Sequence, residues 1–129
     1  GVEGARYGNA HPSVVPYQLF ECSDGFLALA VGNDRMFRDF CVRVMERPGL
    51  AQDPRFATSR DRAVNRDVLL PVMGDAMRTK TVAHWLEACR RASVPAGEVH
   101  NVSQALASPT VAARGIVQTL HHDELGEVS

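Results

Sequence analysis

The chain has 129 residues, of which 45% are apolar and 22% charged, and a formal net charge of −1. That is one domain's worth of globular sequence, long enough to bury roughly two thirds of its unfolded surface. The near-zero charge argues against nucleic acid or an anionic membrane as a partner, and no apolar run approaches the ~20 residues needed to span a bilayer.

Residues 1–16 carry glycines and prolines without a period of 2 or 3.6 and read as an extended linker. Tyr17 to Cys22 alternates like a strand, Ser23-Asp24-Gly25 supplies turn chemistry, and Phe26 to Val31 is apolar throughout. Together they predict a β-hairpin whose second strand is covered on both faces. Asn33 or Asp34 is suited to cap a helix in which Met36, Phe37, Phe40, Cys41 and Val44 share one face, ending at Arg47-Pro48-Gly49.

A turn-rich stretch leads to Asp53-Pro54-Arg55-Phe56, with Phe56 expected to plug back into the core. From Arg60 to Met77 the apolar spacing is helical, and Pro71 should kink or divide it. Thr81 caps the next helix, which turns Trp85, Leu86 and Cys89 inward and stops before Pro95. Gly97-Glu98-Val99 is a short extended piece, and Asn101 or Ser103 starts a short helix. Ser108-Pro109 is a cap followed by proline at the first helical position, Gly115 is a C-cap, and Ile116 to Leu120 reads as a final strand. The class is α+β, a small, mostly antiparallel sheet with about four or five helices.

Residues able to carry chemistry are few. His121-His122 are adjacent, so on a strand they point to opposite faces and do not share a metal ion; no metal site is expected. No Gly-x-Ser-x-Gly elbow, P-loop or dinucleotide fingerprint occurs. Asp24, Asp34, Asp53, Asp61 and Asp123 fall at turns or helix starts, where aspartate bonds backbone N–H groups. The arginines are scattered among acids and read as a solvated mixed-charge surface. Cys22, Cys41 and Cys89 are odd in number, widely spaced and in apolar contexts, which implies buried thiols in a reducing compartment. No secretory leader pattern is visible, and cytoplasm is the expected location.

The run Gly8-Asn9-Ala10-His11-Pro12-Ser13-Val14-Val15-Pro16-Tyr17-Gln18-Leu19-Phe20 is followed in order by Asp24-Gly25, Ala30-Val31-Gly32-Asn33-Asp34, Leu50 to Phe56, Trp85, Val94 to Gly97 and Ala113-Arg114-Gly115. This ordered set resembles the small domain of class III CoA-transferases, the family that includes carnitine dehydratase-like and α-methylacyl-CoA racemase-like enzymes. The resemblance implies a fragment: residues 1–16 as linker and active-site-facing loop from an absent large domain, and 17–129 as the small α+β domain. It implies a parent that moves CoA between an acyl-CoA and a free carboxylic acid through an aspartyl anhydride, the aspartate lying in the large domain. Coenzyme A would be part of the substrate with no separate cofactor, and the parent would be a homodimer.

No catalytic residue is expected within this chain. Asn9, His11, Pro12, Ser13 and Val14 are the candidate substrate-binding residues. In formyl-CoA transferase-like members the matching loop is a run of glycines. The bulkier sequence here implies a stiffer loop and a different acyl pocket, of the kind that accompanies dicarboxylic or hydroxy-acid substrates. The alternatives are the small domain of an acyl-CoA racemase or carnitine dehydratase-like enzyme, and a stand-alone binding or assembly module.

Overall fold

The computed structural model describes residues 6–128 and divides after Val99 into two compact units. The first holds the core. Strands β1 (Tyr17–Glu21) and β2 (Phe26–Ala30) pair antiparallel with Tyr17 opposite Ala30 and Glu21 opposite Phe26. Strand β3 (Ala96–Glu98) adds to the far edge of β2, giving the order β1-β2-β3. The period of the strands puts Phe20, Leu27, Leu29 and Val31 into the core.

Helix α1 (Asp34–Asp39) is capped by Asn33, whose side chain accepts from the Met36 N–H at 2.9 Å. It runs on through a π-turn at Phe40–Val44, so the apolar face predicted for this stretch continues through a widened turn. Phe37, Phe40, Cys41 and Val44 are buried. Pro48 then opens a short helix α2 (Pro48–Gln52), which the turn-rich sequence had hidden, and Asp53 caps a single 3-10 turn at Pro54–Phe56. Phe56 is buried, as its isolation in a polar loop implied.

The helical stretch from Ser59 to Met77 is divided, but not at Pro71. Helix α3 (Ser59–Val64) and helix α4 (Arg66–Met77) part at Asn65, whose amide donates to the carbonyls of Asp61 and Arg55 at 2.9 and 3.1 Å. Asn65 thus competes with the regular ladder, as asparagine does when its side chain reaches nearby backbone. Pro71 lies within α4 on its exposed side. Helix α5 (Val82–Arg91) is capped by Thr81 and buries Val82, Trp85, Ala88 and Cys89. The Trp85 indole N–H donates to the Met77 carbonyl at 2.8 Å, which ties α5 to the end of α4.

The second unit contains α6 (Val102–Leu106), opened by an Asn101–Gln104 capping box, and α7 (Pro109–Ala113), capped by Ser108. Gly115 follows with φ of 59°, a left-handed conformation suited to glycine. The strand expected at Ile116 to Leu120 is displaced. Pairing starts only at Leu120, between β4 (Leu120–His122) and β5 (Gly126–Val128). The intervening turn is fixed by His122 Nδ1, which accepts from the N–H groups of Glu124 and Leu125 at 3.2 and 3.3 Å.

The α+β class and the small antiparallel sheet are as expected. Seven α-helices occur among the described residues rather than four or five, because α2 was unforeseen and the 59–77 stretch is two helices. No helix among the described residues is long and apolar enough to cross a membrane.

Candidate functional site

The second strand is not covered on both faces. Leu27 and Leu29 are buried, but Phe26 is 51% exposed and Ala28 and Ala30 are only half-buried on the other side. This outer face, with Tyr17, Leu19, Pro95 and Ala96, forms the floor and walls of an open cleft of about 420 Å³, to which Asn9 and Gln18 bring amide groups. Its lining is mainly apolar with a few polar groups at the margin, the usual composition of a small-molecule pocket.

The loop before β1 is fastened beside that cleft. Asn9 Oδ1 accepts from the Leu19 N–H at 3.0 Å, so the loop start is tied to β1. The His11 N–H donates to the Tyr17 carbonyl at 2.9 Å, and its ring stacks on Tyr17 with centroids 5.6 Å apart. Nδ1 of His11 accepts from the N–H groups of Ser13 and Val14 at 3.2 and 3.0 Å, closing the turn through Pro12. His11, Ser13 and Val14 are thereby joined into one hydrogen-bonded turn, and Asn9 is tied separately to β1. Pro12 and Ser13 are exposed on the turn, while Val15 and Pro16 enter the core across a cis peptide bond.

Two arginines hold this loop, and reading the arginines as solvated charge missed both. Arg62 is fully buried. It donates from Nε to the Val15 carbonyl at 2.8 Å, from one terminal nitrogen to Phe56 carbonyl at 3.1 Å, and from the other to Asp34 at 2.9 Å. Its guanidinium also lies over the Phe37 ring, 4.5 Å from the centroid. This satisfies a buried cation through hydrogen bonds, an ion pair and a π face at once. Arg66, four residues on, donates to the Pro12 and His11 carbonyls at 3.0 and 3.2 Å and is covered by Tyr7 at 4.3 Å. The available sequence signal was the four-residue spacing of Arg62 and Arg66 along the inward-facing rows of α3 and α4.

Three of the five turn aspartates, Asp24, Asp53 and Asp61, have the backbone roles their positions implied. Asp24 Oδ1 accepts from the Val82 N–H at 2.8 Å, Asp53 caps its 3-10 turn, and Asp61 forms a capping box with Thr58. Arg55, hydrogen-bonded to the Asp53 carboxylate, holds its pKa below the usual range. Asp34 differs: it is the half-exposed partner of Arg62. The three cysteines are free and buried. Burial pushes the Cys41 thiol up to about 12, against a smaller pull from Arg62, and the Cys89 thiol up to about 11, with Cys22 adding to the rise. Neither is poised as a thiolate nucleophile near neutral pH. Among the described residues no three His, Cys, Asp or Glu side chains converge as a metal site would require.

An antiparallel three-stranded sheet backed by helices, with a pinned loop beside its open face, defines a class of domain already seen in solved proteins. A CAIB/BAIF family protein from Brucella suis matches over 98% of this chain and 36% of its own length, with 28% identity and a TM-score of 0.81. A hypothetical protein from Mycobacterium tuberculosis shares the fold, with a TM-score of 0.73 over 85% of this chain and 30% of its own at 24% identity.

The chain belongs to CoA-transferase family III, whose family model matches residues 1–129. It is 37% identical to an acetyl-CoA:oxalate CoA-transferase from Acetobacter aceti over 91% of this chain and 30% of that protein. It is 30% identical to the human succinyl-CoA:glutarate CoA-transferase over 98% of this chain and 29% of the relative. The chain therefore spans about 30% of the length of the curated relatives it matches.

Proposed function

We propose that this chain is the small-domain portion of an acyl-CoA:carboxylate CoA-transferase, with the expected linker and active-site-facing loop at 1–16, of which 1–5 lie outside the described residues, and with 17–129 as the domain. The family match over residues 1–129 carries this reading. A large domain would supply an aspartate that attacks the thioester to form a mixed anhydride. Such covalent catalysis divides one difficult exchange into easier acyl transfers. Coenzyme A enters and leaves as part of the substrates, and no separate cofactor is called for.

In that enzyme the residues of this chain bind and shield. Asn9, His11, Pro12, Ser13 and Val14 line the acyl end of the site, and the apolar face of β2 takes the hydrocarbon part of the acid. Closing that wall keeps water from the anhydride. Two relatives are named for oxalate and glutarate, both dicarboxylic acids, which supports a dicarboxylic acid as substrate here. The working enzyme is a homodimer of the cytoplasm.

The test is acyl exchange by the full-length gene product, with succinyl-CoA or acetyl-CoA as donor and oxalate or glutarate as acceptor. CoA transfer that hydroxylamine interrupts by trapping an acyl-enzyme is the expected result. Exchange of an α-proton on an acyl-CoA without CoA transfer would instead place the protein with the racemases.

A further inference from the structure

His11 is held so that one ring nitrogen is engaged and the other is not. Nδ1 accepts two backbone N–H bonds, from Ser13 at 3.2 Å and Val14 at 3.0 Å. A nitrogen that accepts such bonds carries no proton, which places the ring proton on Nε2. Nε2 makes no hydrogen bond among the described residues. The ring plane is set as well, since it lies within 18° of the Tyr17 ring on which it stacks. Tyr17 in turn lines the cleft on the outer sheet face.

The backbone of His11 is fixed from both sides. Its N–H donates to Tyr17 carbonyl at 2.9 Å, and its carbonyl accepts from Arg66 at 3.2 Å. Arg66 also bonds the Pro12 carbonyl and is itself covered by Tyr7. Tautomer, ring plane and backbone are therefore determined before any ligand arrives. Such pre-organisation is what a binding group needs to avoid an ordering cost at the moment of contact.

Resting on the CoA-transferase reading, we propose that His11 is a fixed hydrogen-bond donor, through Nε2–H, to a carboxylate oxygen of the acid substrate, and that Arg66 is the residue that positions it. The donor role follows from the geometry, because the accepting nitrogen is used inside the loop. A carboxylate offers only acceptor oxygens and matches a lone N–H, whereas an ammonium group would meet no acceptor there. The cleft that Tyr17 lines has an apolar floor at Leu19, Ala28 and Ala30, which suits the methylenes of a short aliphatic dicarboxylate.

The experiment is long-range 15N NMR of the uniformly 15N-labelled 129-residue chain, with glutarate as probe. His11 is expected as the Nε2–H tautomer alone, and glutarate should shift its Nε2 resonance while His84 and His121 stay in place. Arg66→Lys keeps the charge but loses the planar fork, and should give a mixture of tautomers and a weaker glutarate response. His11→Asn keeps an oxygen able to accept from residues 13 and 14, so the turn survives; the glutarate response at the Tyr17 amide should vanish.

A tautomer mixture in the unsubstituted chain, or a His11 resonance indifferent to excess glutarate, would overturn the donor role. An unchanged spectrum in Arg66→Lys would overturn the positioning role. These results leave the family assignment standing, whereas failed CoA transfer by the full-length protein would remove the reading beneath the proposal.

Discussion

The guanidinium of Arg66 donates to the carbonyl of His11 at 3.2 Å, across 55 positions of sequence. With Arg62 bonded to the Val15 carbonyl at 2.8 Å, it fastens both ends of a five-residue stretch to consecutive helices. A loop that composition alone would leave as linker is thus part of the packed unit. The helix break at Asn65 lies between the two arginines, so the irregularity and the anchoring belong to one local arrangement.

Arg62 should therefore govern stability out of proportion to its type. Arg62→Met removes the charge but leaves the Val15 and Phe56 carbonyls without their donor, and we expect a loss of about 3 kcal/mol. Asp34→Asn should cost about 1 kcal/mol or less, because Asp34 is half-exposed and water screens the pair. Urea denaturation midpoints of the two variants give the comparison. Equal, small losses would mean that the carbonyl contacts of Arg62 contribute little.

Trp85 is 4% exposed and donates to the Met77 carbonyl. Trp85→Ala opens a cavity and leaves that carbonyl unpaired, for an expected cost of about 3–5 kcal/mol. Trp85→Phe fills most of the space but cannot donate, and should fall about 1–2 kcal/mol below the unsubstituted chain. Thermal or urea unfolding followed by far-ultraviolet circular dichroism measures both.

Local chemistry was legible wherever one residue decides the outcome. Thr81, Ser108 and Asn33 cap the helices that their positions announce, and Asp24-Gly25 turns the hairpin. What could not be read depends on distant partners. Nothing near Arg62 in sequence marks it for burial, since its acceptors come from residues 15, 34 and 56. The continuous apolar run Phe26–Val31 suggested two covered faces, yet in the described residues the outer one is an open cleft wall. Pro71 drew attention as a breaker, but an exposed proline loses only one ladder bond near water. Asn65 offers the chain a better place to part.

The thiols set an alkaline limit. Folding raises Cys41 from its ordinary value of 9.0 to about 12 and Cys89 to about 11. The native state then holds protons that the unfolded state releases, so this stability is complete below pH 9 and is lost between pH 9 and about 12. Unfolding free energy should fall with pH across that window, and less steeply in Cys41→Ala. A thiol reagent at pH 8 should label both sites only at the rate of opening; rapid labelling of the native chain would contradict the burial.

The 129-residue chain by itself should not exchange CoA. Asp24, Asp53 and Asp61 accept backbone N–H groups and Asp34 pairs with Arg62, so each of these four carboxylates already has a structural role. Cys41 and Cys89 are held as thiols. Incubation with succinyl-CoA and glutarate should give no glutaryl-CoA above the uncatalysed background, as followed by chromatography. Turnover by the purified chain would reveal a nucleophile that the proposed division of labour assigns elsewhere.

In the full-length protein, His11 offers the sharpest separation of roles. If the loop faces the acid, His11→Asn keeps an acceptor for the turn but removes the Nε2–H donor together with the ring that stacks on Tyr17, so its effect should appear in the acceptor carboxylate. The expected change is a KM for the acid raised about 10-fold, equivalent to about 1.4 kcal/mol for one hydrogen bond to a charged group. The KM for the acyl-CoA should move less than about twofold, because the proposed contact is to the acid and not to the nucleotide. His11→Ala also removes the acceptor for the Ser13 and Val14 N–H groups, and should lower kcat as well by loosening the loop. Steady-state kinetics with both substrates varied separate the cases: equal effects on donor and acceptor, or none, would return His11 to the status of a residue that only shapes the loop.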